Sequence, residues 1–258
     1  MLELAAALFV EREVAGDELR ATVTVRNVGA GHAIPTGVPM RSMVLHVSAR
    51  CGDTELTAIG GDAIDDVGGA TQVQEADGDW TRWDAAQPGM VVRVTRRTGD
   101  WHGYDGVGPF GDGTFTGAAA GLPVELVVGE RIVTSVDAGV ASFDAPLPDG
   151  DVAYLVPAPG PLADGAATPW LAGAPGFSFA RVTAGVDGTR RVPHFVATDI
   201  VRDNRLMPQT GWTSTHVFAS TCAEPVVDAR LLYFPYEHNT AAQRRWAMPA
   251  RVIAEVSR

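Results

Sequence analysis

The sequence predicts an all-β protein: an antiparallel β-sandwich with long irregular loop insertions and at most a short C-terminal helix. Three observations carry this expectation. Short stretches alternate apolar and polar residues with a period of two, as strands with one wet face do. The 29 glycines and 17 prolines are spread along all 258 residues, which suits many turns between short strands. The 46% hydrophobic content is ordinary for a globular chain, and this length can bury a sizeable core.

The strands are expected in the following order. The N-terminal stretch MLELAAALFVEREV lacks a basic leader region and carries Glu3 early, so it reads as a first strand and not as a signal peptide. Residues 17–28 alternate cleanly, with Leu19, Ala21, Val23 and Val25 on one face and Arg20, Thr22, Thr24 and Arg26 on the other. Residues 41–49 and 54–59 follow, then 90–96, 124–128 and 130–136, with Gly129 breaking the last two apart. Residues 177–186, 194–200, 213–220 and 225–234 are the later strands, and 240–247 is a short helix capped by Thr240. Two stretches lack periodicity. Residues 60–122 read as a loop-rich elaboration, and 145–176 as an irregular Pro/Gly-rich connection. No linker divides the chain, so residues 1–258 are expected to form one domain.

The charge balance excludes several classes of function. Twenty basic groups against 31 acidic ones leave −11, a field that repels a phosphate backbone, so nucleic acid is not an expected partner. The best basic patch, Arg93, Arg96 and Arg97, reads as the solvated edge of a strand. All basic residues are arginine, which removes Schiff-base chemistry by lysine. No apolar run approaches the roughly 20 residues of a membrane-spanning helix. No nucleophile elbow, triad, phosphate loop or dinucleotide fingerprint is present, so no complete catalytic constellation is visible. GVGPFG at 106–111 does not sit between a clear strand and a helix.

The most distinctive segment is residues 27–37, NVGAGHAIPTG. Gly29 and Gly31 permit a tight turn with positive φ, Pro35 and Gly37 a second one, and Ile34–Pro35 is a candidate cis bond. Such a loop would fix the direction of the His32 imidazole. That suits a metal or haem-iron ligand, or else a histidine that simply locks the turn by bonding its carbonyls.

With a following strand that opens on Arg41, this motif resembles the β-rich domain at the C-terminal end of many multihaem c-type cytochromes. Residues 197–208 (ATDIVRDNRLMP), THVF at 215–218, VVDARLLYF at 226–234 and AAQRRW at 241–246 are similar to the matching region of those proteins. The resemblance covers about 1–60 and 175–250. It implies a periplasmic or extracellular β-sandwich beside an electron-transfer centre, with a multihaem cytochrome as redox partner. The C-x-x-C-H motifs that define those cytochromes are missing, so any haem would come from a partner chain. An extracytoplasmic setting also implies a disulfide between Cys51 and Cys222, two residues that would otherwise be buried thiols.

Other chemistry is weighed on residue type alone. Histidines from separate strands, with His32, His194 and His216 foremost, could converge on copper or zinc, with Met40 or Met43 as a soft copper ligand. None of the six histidines forms an H-x-H or H-x-x-x-H pair, and His46 and His102 are further members of the set. Asp62, Asp65, Asp66, Asp77, Asp79 and Asp84, interleaved with glycines, could wrap calcium or be solvated loop acids. Arg202, Asp203, Asn204 and Arg205 read as a local ion-pair and turn network. Trp80, Trp83 and Trp101 read either as a binding platform or as packing of the loop. Three functions follow. The first is a haem-free accessory domain of extracytoplasmic electron transfer that presents His32 to a metal or a partner's haem. The second is a histidine-ligated copper or zinc oxidoreductase, and the third an adhesive β-sandwich.

Overall fold

The structure is a computed structural model and describes residues 5–37, 40–101, 123–158, 170–246 and 250–258. Fifteen strands are found among them. The first seven are β1 (Ala6–Ala15), β2 (Glu18–Asn27), β3 (Ser42–Cys51), β4 (Thr54–Glu55), β5 (Ala58–Gly61), β6 (Gln72–Glu75) and β7 (Val91–Trp101). Next come β8 (Pro123–Asp137), β9 (Val140–Phe143), β10 (Val152–Val156) and β11 (Gly176–Ala184). The chain closes with β12 (Asp199–Asp203), β13 (Gly211–Ala219), β14 (Val226–Phe234), helix α1 (His238–Arg244) and β15 (Arg251–Ser257). Every strand pairing is antiparallel. The all-β sandwich expected from the sequence is therefore the observed architecture. Among the described residues no helix is long and apolar enough to cross a membrane.

Three sheets arise: β1-β2-β13-β5, β6-β10-β7-β8-β9, and β12-β11-β3-β14-β15 with β4 hydrogen-bonded to β3. The first and third face each other. Leu19, Ala21, Val23 and Val25 of β2 are fully buried against Leu45, Val47, Phe177, Phe179, Phe218 and Leu231. The period-two pattern read from residues 17–28 thus places these four side chains in the core as expected. Each fully buried Val or Leu of this kind contributes roughly 1.5–3 kcal/mol.

The outer face of the β3 sheet is covered at one end by the non-strand segments around Ile64 and 171–174. There Val44, Leu232 and Phe234 pack on Ile64, Leu171 and Ala174. The second sheet has its own core of Trp83, Val92, Val94, Val133, Ala153 and Leu155.

Several sequence expectations are corrected. The stretch 60–122 is not simply loop: besides the expected strand at 90–96, found as β7, its described residues supply the end of β5 and the short strand β6, and 102–122 lie outside the described residues. Within 145–176, β10 is a central strand with all five residues buried. Gly129 does not end a strand. It sits inside β8, where the pairing with β7 shifts register between Val94 and Thr95. The strand expected at 54–59 is two short ones, β4 and β5, and α1 begins two residues before Thr240.

The arginine patch is likewise not at an edge, because β7 is flanked by β10 and β8. Its charges are paired: Arg93 with Glu130, Arg96 with Asp149, and Arg97 with Glu75. Two of the three tryptophans pack, and the Trp101 side chain lies outside the described residues. Trp83 is buried in the second core with Trp80 against it, and its indole N–H donates to the Trp80 carbonyl.

Candidate functional site

Asn27, the last residue of β2, is fully buried and organises the His32 loop. Its Nδ2 donates to the carbonyls of His32 at 2.9 Å and Leu206 at 3.2 Å, and its Oδ1 accepts from the Ala30 N–H at 3.1 Å. Its backbone is held as well, donating to Thr210 O at 3.0 Å and accepting from Gln209 N at 3.1 Å. Ile34 and Leu206 exchange two backbone hydrogen bonds, of 2.9 and 2.8 Å, beyond the turn. The Ile34–Pro35 bond is cis.

Gly37 is the residue that needs positive φ, at 91°; Gly29 and Gly31 are not in that region. A Cβ on Gly37 would fall 2.5 Å from the Arg41 guanidinium, which donates to the Thr36 carbonyl and closes the loop. This is the structural use of Arg41.

On this frame the His32 side chain is exposed. Its Nδ1 lies 3.1 Å from the Ala33 carbonyl. A carbonyl only accepts, so Nδ1 carries a hydrogen, and in the neutral ring Nε2 then holds the lone pair. That is the tautomer in which a histidine binds a metal through Nε2 while a backbone carbonyl fixes the ring.

The other candidate histidines stand in different environments. His194 is exposed in a turn before β12, edge-on to Phe195 with ring centroids 5.5 Å apart, and does not open that strand. His216 on β13 is fully buried. Its Nδ1 is 3.2 Å from Asp62 O and its Nε2 3.0 Å from Ser214 Oγ, so both nitrogens are engaged within the fold. Burial pushes its pKa down to about 3. His46 on β3 is half-buried, and burial with the Arg93 and Arg230 charges lowers its pKa to about 4. His102 lies outside the described residues. Among the described residues no three His, Cys, Asp or Glu side chains are grouped to hold a metal ion, so His32, His194 and His216 are not brought together.

Three of the acidic residues weighed for calcium, Asp62, Asp65 and Asp79, are engaged within the chain itself. Asp62 accepts from the Thr215 N–H, and Asp79 from the N–H and hydroxyl of Thr81. Asp77 and Asp84 are exposed. Asp65 is buried and accepts from the Val67 N–H, the Ser178 hydroxyl and Arg202. Burial alone would raise its pKa, but the Arg202 guanidinium and these hydrogen bonds outweigh that and hold it low. Asp203 takes Arg205 at 2.7 Å and Arg181 at 2.9 Å, which realises the ion-pair network read from RDNR, while Arg202 leaves that network for Asp65.

Sequence reasoning missed Glu125. It lies on β8, facing the same interlayer space as Arg93, Thr95 and Tyr154, and its side chain is almost fully buried. Thr95 Oγ1 and the Tyr154 hydroxyl each donate to its Oε2 at 2.7 Å, while Arg97 stays 3.8 Å from Oε1. Burial outweighs those bonds and lifts its pKa from 4.5 to about 7. Its strand parity with the buried Val127 was the one available signal.

Because the folded pKa is raised, the fold binds this proton more tightly than the unfolded chain does. Glu125 therefore stabilises fully below pH 4.5, and this contribution is lost as pH rises through about 7, on the order of 3 kcal/mol in all. His46 and His216 act in the opposite sense: their pKa values are depressed, so their contribution fades as pH falls below 6.5. The expected result is that chemical denaturation of Glu125→Gln, compared with the parent from pH 4 to 9, loses the decline above pH 5 that Glu125 causes. Parallel profiles for the two proteins would contradict this.

No protein-family model and no curated protein matches the chain. Among solved structures, a penta-haem cytochrome c552 from Thermochromatium tepidum is similar at 15% sequence identity and a TM-score of 0.44. The similarity covers 100% of this chain and 40% of the length of that one.

Proposed function

We propose that this chain is a haem-free accessory domain of extracytoplasmic electron transfer, and that His32 is the ligand it presents to the haem iron of a partner cytochrome. The observation that carries the reading is the His32 loop: an exposed imidazole, tied at Nδ1 to a backbone carbonyl, on a turn clamped by a buried asparagine. Preorganisation of this kind lowers the entropy lost when a ligand engages its metal. The sequence resemblance of residues 27–37 and 197–208 to the β-domain of multihaem cytochromes supports it. So does the Cys51–Cys222 disulfide, which suits a periplasmic or extracellular setting. The reading treats residues 1–258 as one unit. The copper or zinc alternative would need converging imidazoles, and His216 already spends both nitrogens inside the fold.

The test is a titration of ferric haem, and then of a multihaem cytochrome with one open coordination position, followed by the Soret band and native mass. Conversion to a low-spin spectrum is expected with the parent chain and with His194→Ala, and is lost with His32→Ala. A His32→Ala protein that binds as the parent does, or a parent that binds neither, would overturn the proposal.

A further inference from the structure

The outer face of the β3 sheet is apolar only over half its length. Beyond Val44 the same face of β3 carries His46, Ser48 and Arg50, and β14 alongside it carries Arg230, directly opposite His46 in the register. Among the described residues the second sheet does not close over these side chains. A cleft of about 640 Å³ remains, bounded across the gap by Arg93, Val127 and Glu130 and at one end by Trp170. Sites for small organic ligands are of this size and mix apolar walls with a few fixed polar groups.

Cationic groups line this cleft, and one of them, Arg93, is held in place. Arg93 is buried to 8% exposure, and its Nη1 donates to the carbonyls of Trp170 at 3.0 Å and Ala172 at 3.3 Å. Gly173 lets that backbone approach, since a Cβ there would fall 2.6 Å from the Arg93 Cβ. The Arg93 Nε is paired with the half-exposed Glu130 at 3.2 Å, and no hydrogen bond reaches Nη2 among the described residues. Arg230 makes only a 3.7 Å ion pair with exposed Glu255, too long for a hydrogen bond, so its fork is unused among the described residues. His46 lines the same cleft, feels the charge of both guanidiniums, and has no hydrogen bond to either ring nitrogen among the described residues.

The remaining charges at the cleft are Arg50, tied to Asp228 at 2.9 Å, and the exposed Asp53 and Glu55 at its mouth. We infer that the cleft binds a small organic anion, its carboxylate or phosphate held between the Arg93 and Arg230 forks and His46, its apolar body against Trp170 and Val127. Two arginine forks lining one cleft can each take an oxyanion bidentately. Burial, and after it the field of the same two arginines, keeps His46 neutral, and an anion between them would relieve the second of these. The inference rests on this geometry alone and is independent of the role proposed for His32.

Nuclear magnetic resonance of the full ¹⁵N-labelled chain tests it, with benzoate, phenyl phosphate and neutral benzyl alcohol as probes. The expected result is saturable binding of at least one of the two anions and none of the alcohol. The His46 ring nitrogens should shift, and its titration midpoint should rise from about 4 by roughly one unit. Arg230→Gln, on an open face, should weaken binding about 10-fold or more while leaving the amide spectrum elsewhere unchanged. Binding of benzoate alone or of phenyl phosphate alone supports the site and names its headgroup. Absence of binding by both, equal binding of benzyl alcohol, or unaltered affinity in a folded Arg230→Gln protein would overturn it.

Discussion

Arg202→Met should lower the free energy of unfolding by about 3–5 kcal/mol. Arg202 is 3% exposed and its ion pair with Asp65 joins residues 137 apart in sequence. Asp65 heads the 3-10 turn Asp66–Gly68, Ser178 belongs to β11 and Arg202 to β12, so the cluster stitches that turn to the sheet beside it. Removing the arginine alone leaves a buried carboxylate whose burial cost is no longer offset, with Arg190 as the other nearby cation. Removing both partners leaves no such charge. Asp65→Asn/Arg202→Met should therefore recover part of the loss, and the coupling read from the double-mutant cycle should be favourable. Urea denaturation followed by tryptophan fluorescence measures all four proteins. A single-mutant loss below about 1 kcal/mol would mean that the pair merely breaks even with an apolar substitute.

Reduction of the Cys51–Cys222 disulfide should be of similar size. The bond closes a loop over a sequence separation of 171. In the chain-entropy account such a closure removes about 5 kcal/mol of freedom from the unfolded state. It also ties the end of β3 to the crossover between β13 and β14, that is, between the two faces of the sandwich. A Cys51→Ala/Cys222→Ala protein, or the parent in reductant, should unfold at clearly lower denaturant while keeping its strand content in buffer. Equal midpoints for the oxidised and reduced protein would contradict the account.

What was legible in the sequence follows from where periodicity exists. Strand β2 could be read because one face is wet, leaving Arg20, Thr22, Thr24 and Arg26 between buried neighbours. Strand β10, VAYLV, is buried on both faces and short, so it shows no alternation, and its Pro/Gly-rich flanks disguised it as a connection. The same blindness placed Arg93, Arg96 and Arg97 at an edge: pairing order is a long-range property, and β7 meets β10 and β8 only through folding. The His32 loop was legible because glycine, proline and asparagine have local conformational meaning. His216 was not recognised as a core residue, although it shares strand parity with the buried Phe218. Glu125 and Asp65 became candidates for buried ionic chemistry only once partners distant in sequence were in place.

Asn27 also has a consequence for anyone moving this loop elsewhere. Its side chain grips residues 32 and 206 together, and Ile34 completes the join to Leu206. Segments 27–37 and 205–210 are therefore one mechanical part made from two lengths of chain. A graft of NVGAGHAIPTG alone would carry the imidazole without its anchor. A transplant that keeps the ring's heading must bring RLMPQT as well, mounted at the same distance and angle, and a substitution at Leu206 that shifts its backbone would re-aim a histidine 174 positions upstream.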